Sequence, residues 1–284
     1  MRSDAQGRSP GAALLLVPLL VAMLAFYLAP LLRTFANSFH PFTPAGIDTA
    51  TWTLANYARL FDPFYADTFL RTVRVSFVIT LITCVLAYPV ALWMVRLSRR
   101  AQALLLLVYM APWLVNVVVK ALGWSLILGG NGIINRSLRA LGMTGPPLQL
   151  MFNETGIVIG LVHGHFMFVL LPLWAAMSGL DPNLRWAAAN LGAGPLQVFW
   201  RITLPLTLAA LLAGALINFT MNLAAFATPA LLGGSRARVV SFVAYEVNLI
   251  ELNWPFGGAL AVALFVLTLV PIWLAQRLSR RGGR

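Results

Sequence analysis

The sequence predicts an all-α, polytopic membrane protein with six transmembrane helices and both termini in the cytoplasm. Three observations carry this. The 284-residue chain is 60% hydrophobic and only 10% charged, against about 25% charged in a typical soluble domain. It contains six apolar runs, each long enough to supply the ~20 residues that cross a hydrocarbon core of ~30 Å. Its basic residues are spread unevenly over the loops between those runs.

The first run, 11–32, follows a short basic head, Arg2 and Arg8. It is longer than a signal-peptide core and no clear Ala-x-Ala site follows, so an uncleaved first helix is expected. The second run is 75–95. The third begins at Ala101, continues past Lys120 and ends near Leu128. The fourth is 155–180. The fifth apolar stretch, 202–235, would reach about 51 Å as one helix, more than a bilayer needs. Pro205 and the Pro229 to Gly234 region are natural breaks. The span is therefore placed at 206–227, with 228–235 as a non-helical turn or re-entrant piece. The sixth run is 252–276.

Lys and Arg number 20 against 8 Asp and Glu, a net of +12. In a soluble protein this would suggest a nucleic-acid partner; the hydrophobicity removes that reading. The charge instead sorts by side. With the N-terminus inside, the inner segments hold Arg2, Arg8, Arg96, Arg99, Arg100, Arg185, Arg201, Arg277, Arg280, Arg281 and Arg284. The outer ones hold Arg59, Arg71, Arg74, Arg136, Arg139, Arg236 and Arg238. Arg96, Arg99 and Arg100 share one very short loop, where the positive-inside rule weighs most.

The inventory also excludes chemistries. One cysteine, Cys84, allows no internal disulfide or thiolate metal cluster. His163 and His165 are at i,i+2 and point to different helix faces, so they read as polar side chains facing other helices rather than as a metal pair. A phosphate-binding loop needs Gly-Lys before Ser or Thr; the sole lysine, Lys120, stands between Val119 and Ala121. The eight acids are scattered singly and none lies within a run. No catalytic site is expected.

Lys120 is the one residue of fixed charge well inside a run. It is a functional candidate by that fact, or a side chain snorkelling toward the outer surface. Asn218 and Asn222 share a helix face at i,i+4; they either line a path or hydrogen-bond a neighbouring helix. Trp113, Trp124, Phe166 and Trp174 offer ring faces to a cation or simply pack.

The segment 179–204 stands apart. Asp181 and Pro182 open a short helix, Gly192 occupies a C′ position, and Pro195 opens a second short helix bearing Phe199, Trp200 and Ile202. Such a projection suits either a groove in a soluble partner or the lipid headgroups. It resembles the coupling loop of binding-protein-dependent ABC importer permeases. Ala187 and Ala188 match the pattern's paired alanines, Gly192 its glycine, and Ile202-Thr203-Leu204-Pro205 its end. The family's Glu falls on Trp186, a departure that touches any ion pair with an ATPase. Further matches run in order along the chain: Asn56-Tyr57-Ala58-Arg59, Ala87-Tyr88-Pro89, Ala111-Pro112-Trp113, Lys120-Ala121-Leu122-Gly123-Trp124, Gly132-Ile133-Ile134-Asn135, Phe226-Ala227-Thr228-Pro229 and Asn253-Trp254-Pro255. Together they resemble the first permease subunit of spermidine/putrescine-type importers.

The resemblance implies a type I ABC importer transmembrane fold in a bacterial inner membrane. It implies a second, different permease subunit, two ATPase subunits that bind ATP and Mg, and a periplasmic binding protein. No cofactor belongs to this chain. Trp186, Ala187, Ala188, Gly192 and Pro205 would couple to the ATPase; Trp113, Lys120, Phe166, Asn218 and Asn222 are the candidates for the substrate path. Polyamines are the favoured cargo, although iron(III), thiamine, phosphonate and opine importers use similar permeases. A stand-alone secondary transporter would need inverted repeats or buried ionisable pairs, and the sequence displays neither.

Overall fold

The computed structural model describes residues 10–44, 46–143, 145–181 and 183–282. The chain divides into two compact units, one of residues 1–62 and 244–263, the other of 63–243 and 264–284.

In the first unit, α1 (Pro10–Met23) and α2 (Ala29–Asn37) are joined through a π-helical turn, Leu24–Leu28. The turn closes with the Ala29 N–H donating to the Leu24 carbonyl, five residues back. Pro30 follows at once. Its ring crowds the carbonyl four residues earlier and it has no N–H to give, so the widened turn accommodates it without ending the helix. A two-residue hairpin pairs β1 (Phe42–Thr43) with β2 (Gly46–Ile47). The short α3 (Ala55–Arg59) is tied back to the end of α2. Asn56 Nδ2 donates to the Ser38 and His40 carbonyls at 3.0 and 2.9 Å, and Tyr57 shares a 2.6 Å hydrogen bond with Ser38. The Arg59 guanidinium lies 4.3 Å over the ring of Phe256, in the first turn of α14 (Trp254–Gly282).

The second unit is built on α4 (Pro63–Met94), 32 residues long. Its first turns carry Asp67, Arg71 and Arg74. Arg71 pairs with Asp67 at 2.6 Å, and both arginines reach Glu154, far along the sequence. Below them runs a stripe of buried hydroxyls, Thr68, Thr72, Ser76, Thr80 and Thr83. All four threonines donate to the carbonyl four residues back. That satisfies the hydroxyl locally and leaves a smooth face for close helix packing.

The run expected as one span over 101–128 is two helices, α5 (Arg99–Leu114) and α6 (Val117–Leu128). Val115 and Asn116 are extended, and Asn116 Oδ1 accepts from the Val118 N–H at 2.8 Å, capping α6. Pro112, unable to donate into the ladder, weakens the last turn of α5, and the Asn cap restarts the chain in a new direction. After α7 (Ile133–Ala140) come α8 (Glu154–His165) and α9 (Met167–Ser178), bent by 41° at Phe166. The next helices are α10 (Asn183–Asn190) and α11 (Pro195–Val198). A second π-helical turn, Phe199–Thr203, leads into α12 (Leu204–Leu223). Pro205 was expected to break the chain. It does not, because the Leu204 N–H reaches Phe199 and gives the ring the same widened turn seen before Pro30.

The helix ends at Leu223, short of the expected 227. Residues 228–235, expected as a non-helical turn or a re-entrant piece, contain two short helical turns. Pro229–Gly233 forms a π-helical turn and Gly234–Arg236 a 3₁₀ turn, packed on α8 with Leu232 fully buried. There the Leu232 carbonyl accepts the Phe152 N–H at 2.7 Å. A last short helix, α13 (Val240–Tyr245), precedes the turn into α14. Among the described residues, five helical stretches are long and apolar enough to cross a bilayer, and α8 with α9 makes a sixth when the bent pair counts as one span.

Candidate functional site

The site begins at the 181–204 segment. Asp181 Oδ1 accepts the Asn183 N–H at 2.9 Å and opens α10; Pro182, expected at its first turn, lies outside the described residues. The far end of α10 closes by a Schellman cap. Gly192 is left-handed at φ +81°, and the Ala193 N–H donates to the Ala188 carbonyl at 3.0 Å. This is the six-to-one bond that such a cap requires. Nothing lies within 4 Å of a Cβ added at Gly192, so the glycine is there for its backbone and not for space. Ala188 is 9% exposed and turned into the chain's own packing, whereas Ala187 is exposed. Trp186 stands out at 70% exposure, with Leu191, Leu196 and Trp200 also open.

The root of this projection is anchored. The Phe199 ring meets Tyr88 of α4 edge-on at 5.3 Å. The Tyr88 hydroxyl bonds Thr207 at 2.8 Å, and Thr207 donates to the Thr203 carbonyl. From Pro195 to Leu223 the helix is continuous over 29 residues, a rod of about 43 Å. Midway, Gly214 crosses α9 at backbone contact, where an added Cβ would stand 3.0 Å from Val169 Cα.

At the rod's other end, Asn218 and Asn222 are buried, at 0% and 4% exposure. Asn218 Nδ2 donates to the His165 carbonyl at 3.0 Å, and Asn222 Nδ2 donates to Asn218 Oδ1 at 2.7 Å. Asn222 Oδ1 meets His165 Nδ1 at 2.7 Å, and the Thr80 hydroxyl joins Asn218 Oδ1 at 3.1 Å. These contacts are hydrogen bonds to neighbouring helices and between the two asparagines.

The five candidates for the path all gather around residues 163–168. A Cβ on Gly164 would lie 3.7 Å from Lys120 Nζ. Trp113 packs edge-on against Phe168 at 6.3 Å, and Phe166 sits at the α8–α9 break against Tyr109. The asparagines hold His165 from the opposite side. Phe166, Tyr109, Pro112, Trp124 and His163 line an apolar cleft of about 630 Å³. The two histidines diverge as their spacing requires, His163 toward Trp124 at 3.4 Å and His165 toward Asn222. Among the described residues, no three His, Cys, Asp or Glu side chains converge as a metal site.

Sequence reasoning did not assign Thr80 and His165 to this cluster. The signal for Thr80 was present, as one member of the five-residue hydroxyl stripe on α4. For His165 the sequence offered a polar side chain facing another helix but not its partners, which are 53 and 57 residues away.

Known proteins resemble this chain closely enough to place it. The spermidine/putrescine transport system permease protein PotB of Haemophilus influenzae is 32% identical over 262 residues, 92% of either chain. The inner membrane ABC transporter permease protein YdcU of Escherichia coli is 30% identical, covering 95% of this chain and 91% of its own. In fold, the chain matches the crystal structure of a bacterial alginate ABC transporter in complex with an alginate pentasaccharide-bound periplasmic protein. The TM-score is 0.79 over 95% of this chain and 94% of that one, at 19% identity. The family described as binding-protein-dependent transport system inner membrane component matches residues 75–283, and the chain belongs to that family.

Proposed function

We propose that this permease forms half of the translocation pathway of an ATP-driven importer for polyamines of the spermidine and putrescine class. The observation that carries the mechanism is the continuous helix Pro195–Leu223. It joins an exposed, glycine-capped loop to a buried polar cluster at the α8–α9 break. A partner pressing on the loop moves the cluster, because a helix transmits displacement along its axis. The mechanism is alternating access: a helix bundle with two arrangements, biased by ATP-driven closure on one side and by a loaded binding protein on the other.

In this reading the loop faces the cytoplasm with both termini, in keeping with Arg96, Arg99 and Arg100 in one short loop. Trp186 and its exposed apolar neighbours meet one of two separate ATPase subunits, which hold ATP and Mg. A second, different permease subunit completes the pathway. The polyamine cargo is supported by the PotB relatives. Lys120 favours a second reading, a non-cationic solute, since a fixed cation in the bundle repels polyamines.

The test is uptake of radiolabelled putrescine and spermidine into vesicles containing the full complex with its binding protein. Accumulation that depends on ATP and is competed by unlabelled polyamine is the expected result. Uptake competed by an anionic or neutral solute and not by polyamines would assign the cargo to the second reading.

A further inference from the structure

A helix ladder closes on itself, so a side chain bonded to a mid-helix carbonyl marks a place where the ladder has opened. The α8–α9 break is such a place. In an unbroken helix the Val169 N–H would donate to the His165 carbonyl. Here it donates to Phe166 at 3.3 Å, and the freed His165 carbonyl is taken by Asn218 Nδ2 at 3.0 Å.

We infer that Asn218 is the positioning residue of a hinge between α8 and α9, holding the break open and locking its angle to the position of α12. What the movement is for rests on the permease reading; the hinge itself does not.

The direction of every hydrogen bond in the cluster follows from one atom. A backbone carbonyl only accepts, so the Asn218 amide nitrogen faces His165. Its oxygen therefore faces Asn222, which must present nitrogen there and oxygen to the imidazole. An amide oxygen only accepts, so His165 Nδ1 carries the proton. Thus α12 grips one residue at two points, Asn218 on its carbonyl and Asn222 on its ring. The two gripping residues are one turn apart. Displacing α12 by a single residue means about 1.5 Å along the axis and 100° around it, which releases both bonds together. A grip that holds or lets go as a unit makes the angle two-state instead of continuously variable. Pro172 is the rival cause of the bend, since it frees the Phe168 carbonyl four residues before it.

The experiment uses the full-length chain in lipid nanodiscs, with Cys84→Ser and spin labels at the exposed positions 155 and 178. In Asn218→Ala, Val169 can return to the His165 carbonyl. Straightening the 41° bend should then lengthen the label separation by about 2 Å for helices of this length. Pro172→Ala should leave the distance unchanged. The reverse pattern, with the distance set by Pro172 and indifferent to Asn218, overturns the inference.

A second measurement needs no variant at position 218. In nitrogen-15 spectra of histidine-labelled protein, assigned with His165→Gln, His165 should be the Nδ1–H tautomer and should lose it in Asn222→Ala. Finding the Nε2–H tautomer in the wild type overturns the grip. In the reconstituted complex, Asn218→Ala should lose the stimulation of ATP hydrolysis by loaded binding protein; retained stimulation counts against the hinge. If the wild type takes up no polyamine, the cargo reading falls, while the distance and tautomer results still decide the hinge.

Discussion

Replacing Gly192 isolates backbone conformation from everything else in the loop. Its φ is +81°, and no atom lies within 4 Å of an added Cβ, so Gly192→Ala introduces no clash with neighbours. The cost is the left-handed conformation itself, roughly 1–2 kcal/mol for a residue with a Cβ. That lowers the population of the capped turn by about 5- to 30-fold relative to alternatives, while the spans, which do not include the turn, still insert. Asn tolerates this conformation better than Ala, and β-branched Val tolerates it worst. Uptake and stimulated ATP hydrolysis in reconstituted vesicles should therefore fall in the order Asn, Ala, Val at constant protein level. Gly192→Asp, which adds a charge at the same turn, should abolish transport. Equal activity for Ala, Asn and Val would refute the argument, as would losses that track the amount of inserted protein.

Four further outcomes follow from the contacts. Gly214→Ala places a Cβ 3.0 Å from Val169 Cα and should cost about 1–3 kcal/mol, read as a lower melting temperature in detergent; Gly214→Leu should be worse. Trp186→Ala removes a side chain that is 70% exposed, so the melting temperature should hold within the change expected of about 0.5 kcal/mol while co-purification of the ATPase weakens. Tyr88→Phe deletes the bond to Thr207, whose hydroxyl keeps the Thr203 carbonyl; a loss of about 1 kcal/mol should appear in denaturation. The Asp48 carboxyl is held below its ordinary 3.8 by the Thr51 hydroxyl and the Ala50 N–H. A depressed folded value favours the folded loop above the ordinary carboxylate range and withdraws that support as pH falls through it. Carbon-13 titration should show the Asp48 value rising toward 3.8 in Thr51→Val.

The residues differ in how far their role could be read before the fold was seen. Gly192 was legible because a helix cap is a local event, settled by the few residues on either side. The spans were legible for a related reason. In a bilayer every backbone group must be satisfied within its own segment, so a long apolar run has one structural outcome. Residues 101–128 show the limit: the run has the composition of one span, and only the Asn116 cap and Pro112 divide it. Pro205 misled because proline has two outcomes, a break or a widened turn, and here the chain takes the second.

The sequence by itself determined a helical membrane protein, its approximate spans, its charge asymmetry and the loop that marks its family. Tertiary structure decided where the helices bend and what the buried polar residues do. Asn218 and Asn222 were visible as neighbours on one face, but their partner was not. The His165 carbonyl that Asn218 captures is 53 residues away, and it becomes an acceptor only once its own helix has opened. No property of either segment alone contains that bond; it exists because two helices cross at one height in a medium without water to take its place.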